Sequence, residues 1–174
     1  MGIPRLSPSQ ARGLLILSGN VGTLVAKGSE VTNYITGDLY SIDSDVTFSN
    51  VSVNGVVIEN TLTGANTYRI NYSIDGLLSE SSPIDIQTTV TDTTVRLVAD
   101  RIVDAINSQS AYLTATRNND NTVKVVITDQ SNVGTFTTTP NLSIIKSYSQ
   151  AYATSVTFNA KESKAGQVTS IKTS

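Results

Sequence analysis

The chain has no cysteine, no histidine and no tryptophan, and only one methionine. Zinc sites of the usual Cys/His kind are therefore excluded, as are Ser–His–Asp and Cys–His catalytic arrangements within the chain. No disulfide framework can form. Charge is also scarce: Asp, Glu, Lys and Arg make up 15% of the residues, with a net charge of −2. The basic residues are scattered and form no stripe that would neutralise a phosphate backbone, so nucleic acid is not an expected partner. No apolar run approaches the ~18 residues of a bilayer-spanning helix, and no membrane partner is expected. The run Leu14-Leu15-Ile16-Leu17 ends at Ser18-Gly19-Asn20. A signal peptide needs an apolar region of ~7 to 15 residues, so this run reads as a buried strand.

What is present points to β structure. Thr, Ser and Asn supply most of the polarity, as on the outer faces of sheets. At 174 residues the chain makes one ordinary domain or two small ones. One helix stands out, over Asp92–Asn107 (about 93–108 with its flanks). Val95, Val98, Ala99, Ile102, Val103 and Ile106 follow i, i+3, i+4, i+7, i+8, i+11 and form one apolar stripe. Arg96, Asp100, Arg101 and Asp104 fall mainly on the other faces, and Asp92 or Thr93 is placed to cap the first turn. A lone helix cannot bury its stripe, so the flanking strands must form a sheet against it.

Residues 1–12 hold two of the four prolines and read as an extended lead-in. Short strands follow at Gly13–Leu17, Val21–Val25, Glu30–Ile35, Leu39–Ile42 and Val46–Phe48. They are separated by turns at Ser18–Asn20, Ala26–Ser29, Thr36–Asp38 and Asp43–Asp45. The run Val51–Ile58 contains Asn54-Gly55, a hairpin signal. Tyr68, Ile70, Tyr72 and Ile74 alternate with Arg69, Asn71, Ser73 and Asp75, the period of a half-buried strand. After a short strand at Ile84 and Ile86 comes the helix. Tyr112–Thr116 and Val123–Ile127 then form a hairpin around the Asn/Asp-rich turn 117–121. Ser131–Asn141 reads as a Thr-rich loop. Leu142–Ile145, Tyr152–Ala160 and Val168–Ile171 return to strand. The fold class expected is mainly β (α+β): a discontinuous β module, residues 13–52 with 148–174, carrying an inserted β-α-β-hairpin lobe at 53–147.

Few residues suggest chemistry. Asp43 and Asp45, near Asp38, would serve a calcium loop or a glycosidase pair. Ca²⁺ needs six to eight oxygens, and this spacing matches no loop signature. An acid pair cannot be recognised without geometry, and Asp in turns is the default. Asp75-Gly76 and Asn118–Asn121 read as turn chemistry for the same reason. Asp100 and Asp104 read as a solvated helix face with Arg96 and Arg101. Tyrosines 34, 40, 68, 72, 112, 148 and 152 would suit a sugar-binding surface, but Tyr68 and Tyr72 alternate as on a sheet face. Gly19, Gly22 and Gly28 lack the order of a phosphate loop, and no helix follows them. No catalytic, cofactor-binding or metal-binding residue is assigned, no cofactor is expected, and the chain is read as a non-enzyme.

The segment PSQARGLLILSGNVGTLVAKGS, Pro8–Ser29, resembles the opening of the baseplate J-like family, the wedge proteins of contractile phage tails and related injection machines. Gly22-Thr23 matches the family's Gly-Thr pair. Val25-Ala26-Lys27-Gly28-Ser29 stands where the family has an Ile-Pro-x-Gly-Thr turn, with Ala26 and Ser29 as departures. Ser155–Val168 is similar to the family's closing strand and its small-Gly turn. The middle, with Tyr-x-Ile-x-Tyr-x-Ile-Asp-Gly, helix and Thr-Ala-Thr hairpin, is similar to units that recur in tail proteins. The family's members are usually longer, so the resemblance implies a central portion of such a protein.

It also implies a structural role in the virion, at the tail baseplate, after synthesis in the host cytoplasm. The partners implied are other baseplate and tail proteins and further copies of the chain itself. Exposed edges such as Val168–Ile171 would pair with another chain. The alternative function is a carbohydrate-binding adhesin module of a tail or cell surface.

Overall fold

The computed structural model describes residues 10–76 and 83–156. Twelve strands and one helix lie among them: β1 (Arg12–Asn20), β2 (Leu24–Val25), β3 (Glu30–Thr32), β4 (Leu39–Ile42), β5 (Val46–Thr47), β6 (Gly55–Asn60), β7 (Thr67–Ile74), β8 (Ile84–Gln87), α1 (Val95–Gln109), β9 (Leu113–Arg117), β10 (Val123–Ile127), β11 (Gly134–Thr138) and β12 (Leu142–Ser155). The fold is mainly β, with antiparallel sheets and a single helix among the described residues. The expected strand at Val168–Ile171, the part of Tyr152–Ala160 beyond Val156, and most of the lead-in lie outside the described residues.

The chain divides into two compact units. Of the described residues, one comprises 10–17, 24–47 and 150–156, the other 18–23, 48–76 and 83–149. In the first unit, β3 pairs with β4 and β4 with the last residues of β12 (Ala153 opposite Ile42), all antiparallel. The Ser155 N–H donates to the Ala11 carbonyl at 2.7 Å. Leu24 and Val25 pair with Thr47 and Val46. Leu15, Leu17, Val31, Ile42, Val46, Ala151 and Ala153 are buried.

The second unit holds two antiparallel sheets. In one, residues 142–148 of β12, then β6, β10 and β9 lie side by side. In the other the order is β11-β7-β8. Strand β6 is central, flanked on both sides, which is why it carries the unbroken apolar run Val56-Val57-Ile58. The alternation expected of Tyr68–Ile74 is present, with every second residue of β7 buried. Helix α1 packs against β8 and β9 and buries Val98, Ala99, Ile102 and Ile106 of its stripe. The core joins this stripe to Ile58, Ile70, Ile74, Val125, Ile127 and Phe136 from the two sheets.

Several local expectations change. The helix cap is Thr94, whose Oγ1 accepts the Leu97 N–H at 3.2 Å; neither Asp92 nor Thr93 does this. Strand β1 runs through the expected turn at Ser18–Asn20, and the chain reverses instead at Val21-Gly22, where Gly22 has φ +90°. Asn54-Gly55 is no hairpin turn: Gly55 begins β6 in the core. Its missing Cβ matters, because one there would overlap the Val125 carbonyl. The Thr-rich 131–141 stretch contains β11, paired with β7 through Phe136 opposite Tyr72. Strands β7–β8 and β9–β10 belong to two sheets rather than to one small sheet under the helix. In β12 the register slips between Ile144 and Lys146. The Ile145 carbonyl there accepts the Val21 N–H at 3.1 Å, the local break expected of a bulge.

Candidate functional site

The acidic turn residues do not converge on a common point. Asp43 follows β4. Its Oδ2 accepts Arg12 Nε at 2.6 Å and its Oδ1 accepts the Thr154 hydroxyl at 2.7 Å. These contacts, Thr154 first and Arg12 second, hold its pKa below the ordinary 3.8. The Arg12 guanidinium also lies over the Tyr152 ring, 4.5 Å from its centre. Asp45 Oδ1 instead accepts the Lys27 backbone N–H at 2.7 Å, and Asp38 Oδ2 accepts the Thr36 hydroxyl at 2.6 Å. The three carboxylates thus have different partners: Asp43 and Asp38 hold side chains, and Asp45 holds the backbone at Lys27. Among the described residues no group of three or more acidic side chains is placed to hold a metal ion. An open cavity of about 530 Å³ adjoins Asp43, lined also by Lys27, Gly28, Ser41, Thr154 and Val156. Both Asp43 oxygens are thus engaged with side chains of neighbouring strands. Asp43 acts here as a crosslink between β1, β4 and β12.

The other candidates resolve similarly. Gly76 takes φ +82° after Asp75, and Asn121 takes φ 64° in the 117–121 turn. Asp120 Oδ1 accepts both the N–H and the hydroxyl of Thr122, which lowers its pKa. Asp92 is buried and accepts the Thr89 N–H at 2.7 Å and Arg101 Nε at 3.4 Å. Asp100 accepts Arg117 Nε at 2.6 Å, with Arg96 at 3.9 Å. Arg101 stays half exposed but pairs with Asp92, ahead of the helix, rather than with Asp100 or Asp104. Tyr68 and Tyr72 are buried on the β7 face, whereas Tyr34, Tyr112 and Tyr152 are exposed. Tyr34 and Tyr152 belong to the first unit and Tyr112 to the second, so no single unit gathers all the exposed rings. The Tyr148 ring faces Lys124 Nζ, 4.9 Å from its centre. Gly19 lies in β1 against the Phe48 ring, and Gly28 sits in a turn with φ +86°.

Two features went unread in the sequence. The first is the early start of the turn joining β3 to β4, expected only at Thr36–Asp38. Glu30–Ile35 reads as one strand by its apolar content, but β3 stops at Thr32. Asn33 takes over: its Oδ1 accepts the N–H groups of Ile35 (3.0 Å) and Thr36 (3.4 Å), its carbonyl accepts the Gly37 N–H (2.7 Å), and its N–H donates to the Asp38 carbonyl (2.9 Å). Tyr34 and Ile35 are left outside, 83% and 78% exposed, the highest values among the large apolar residues described. Asn33 four residues before Gly37 was the available signal.

The second feature is that side chains occupy sheet edges. Asn107 at the end of α1 bonds both the N–H (2.8 Å) and the C=O (3.0 Å) of Ala115 on β9, as a neighbouring strand would. Ser110 Oγ accepts the Leu113 N–H, and Gln109 Nε2 donates to the Asp85 carbonyl on β8.

Comparison of the chain with protein-family models, with curated proteins and with solved structures returns no match.

Proposed function

We propose that the chain is a structural component of a phage-type baseplate wedge, acting through protein–protein contacts in tail assembly. The observation that carries this reading is the pairing of Ser155 with Ala11. Ala11 lies in the segment that resembles the family's opening, and Ser155 is the first residue of the segment that resembles its closing strand, so the bond supports the reading at that one point. Asp43, Asp45, Asp92, Asp100 and Asp120 each hold another part of their own unit, which suits a scaffold whose work is mechanical. No step of chemistry is assigned to it. The test is quantitative mass spectrometry of contractile particles purified from the cell that makes this chain. The reading expects the chain at a fixed ratio to tail proteins through every step of purification. Its loss from intact particles would overturn the reading.

A further inference from the structure

We propose that the outer edge of β3, together with the Tyr34–Ile35 turn, docks an extended, basic segment of a partner protein. The bonds Ile42 N–H to Ser29 carbonyl (3.0 Å) and Asn33 N–H to Asp38 carbonyl (2.9 Å) fix the alternation of the ladder. With Val31 opposite Tyr40, residues 29, 31 and 33 turn their polar groups toward β4. Those of Glu30 and Thr32 point away, and among the described residues nothing meets them. Other edges are treated differently. In the second unit, β9 is covered by Asn107 and Ser110, β8 by Gln109, and β11 by Asn50 and Val53, which bond Phe136 and Gly134. An open row of N–H and C=O groups is a template for another extended backbone.

The turn beside that edge adds anchors. The backbone that carries Tyr34 and Ile35 is held before any partner arrives by the four Asn33 bonds and the Thr36–Asp38 pair. Little ordering cost is then left for binding. A protruding aromatic of this kind is a typical interface hot spot.

Charge selects the partner. From Ser29 to Ile42 the chain carries Glu30 and Asp38 and no base. Glu30 takes part in none of the ion pairs among the described residues. A second copy pairing through the same edge would bring a second Glu30 to it, and like charges facing across a ladder are unfavourable. A strand carrying Lys or Arg around an apolar side chain is favoured instead.

This inference deepens the assembly reading and rests on it for the protein nature of the partner. Its test uses the purified whole chain and displayed random peptides, so its failure leaves the particle measurement standing. Thr32→Pro removes an outward N–H without removing a ladder bond. Tyr34→Ser with Ile35→Ser changes only exposed side chains. We expect selected peptides to be β-prone and basic, to bind either variant at least about tenfold more weakly, and to slow amide exchange at Glu30 and Thr32. Several results would overturn the inference: no selected peptide, acidic peptides, equal binding to both variants, protection confined to other amides, or self-association of the free chain that either variant abolishes.

Discussion

Asn54 shows how one side chain can replace a turn. It is fully buried, and its Nδ2 donates to the carbonyls of Gln130 (2.9 Å) and Asn132 (2.8 Å). Asn54→Ala would remove both donations and with them the buried Asn54 Oδ1, which has no partner and offsets part of the loss. A drop of about 1–3 kcal/mol in urea unfolding is expected, and an unchanged midpoint would contradict this assignment. The sequence signal at Asn54-Gly55 was real but pointed to the wrong structure. Both residues are turn formers by local preference, and only long-range packing against Val125 and residues 130–132 reveals their use. Asp43 offers a pH test. Its folded pKa is depressed, so its contribution to stability is present above the ordinary 3.8 and is lost as pH falls through the folded value. Asp85, Asp92, Asp120 and Asp129 are lowered as well and add in the same direction. Because Thr154 and Arg12 both hold Asp43 down, Thr154→Val and Arg12→Gln should each move that carboxyl's NMR titration back toward 3.8, and a titration unmoved by either would contradict the crosslink.

Among the elements, those legible in advance were those whose pattern is local. The stripe of α1, the alternation of β7 and the Asn/Asp-rich hairpin turn each lie within a single run of sequence. Strand β11 escaped because its Thr residues read as loop polarity. Its identity comes from Phe136 facing the core and from pairing with β7, more than sixty residues away. The helix cap tests the finer assignment. Thr94→Ala should cost about 1 kcal/mol in chemical denaturation, while Thr93→Ala should cost a few tenths at most. Equal effects would mean that the cap has been placed on the wrong residue. Asn107 is the second test at this scale. Asn107→Ala removes the surrogate partner of Ala115 and should speed exchange of the Ala115 amide. It should also lower stability by about 1–2 kcal/mol for two partly exposed hydrogen bonds.

At the scale of the molecule, which strand neighbours which was the least legible property. The pairing of β6 with both β12 and β10 depends on contacts between distant parts of the chain, and no single run of sequence encodes it. The assignment of β7–β8 and β9–β10 to two sheets is of the same kind: each pair looks like a hairpin-sized unit until α1 is seen between their edges. The candidate site was legible mainly as turn chemistry. The β3 edge was not, because an open edge is defined by what fails to pair with it. If the molecule works by being held by neighbours, the measurement that asks most directly is a cryo-electron microscopy map of the contractile particle from the producing cell. The account predicts the chain within the baseplate, with a neighbouring protein strand laid along Glu30–Thr32 and side chains packed on Tyr34 and Ile35. A particle without the chain, or the chain at the outer surface with a saccharide rather than protein against its tyrosines, would contradict it.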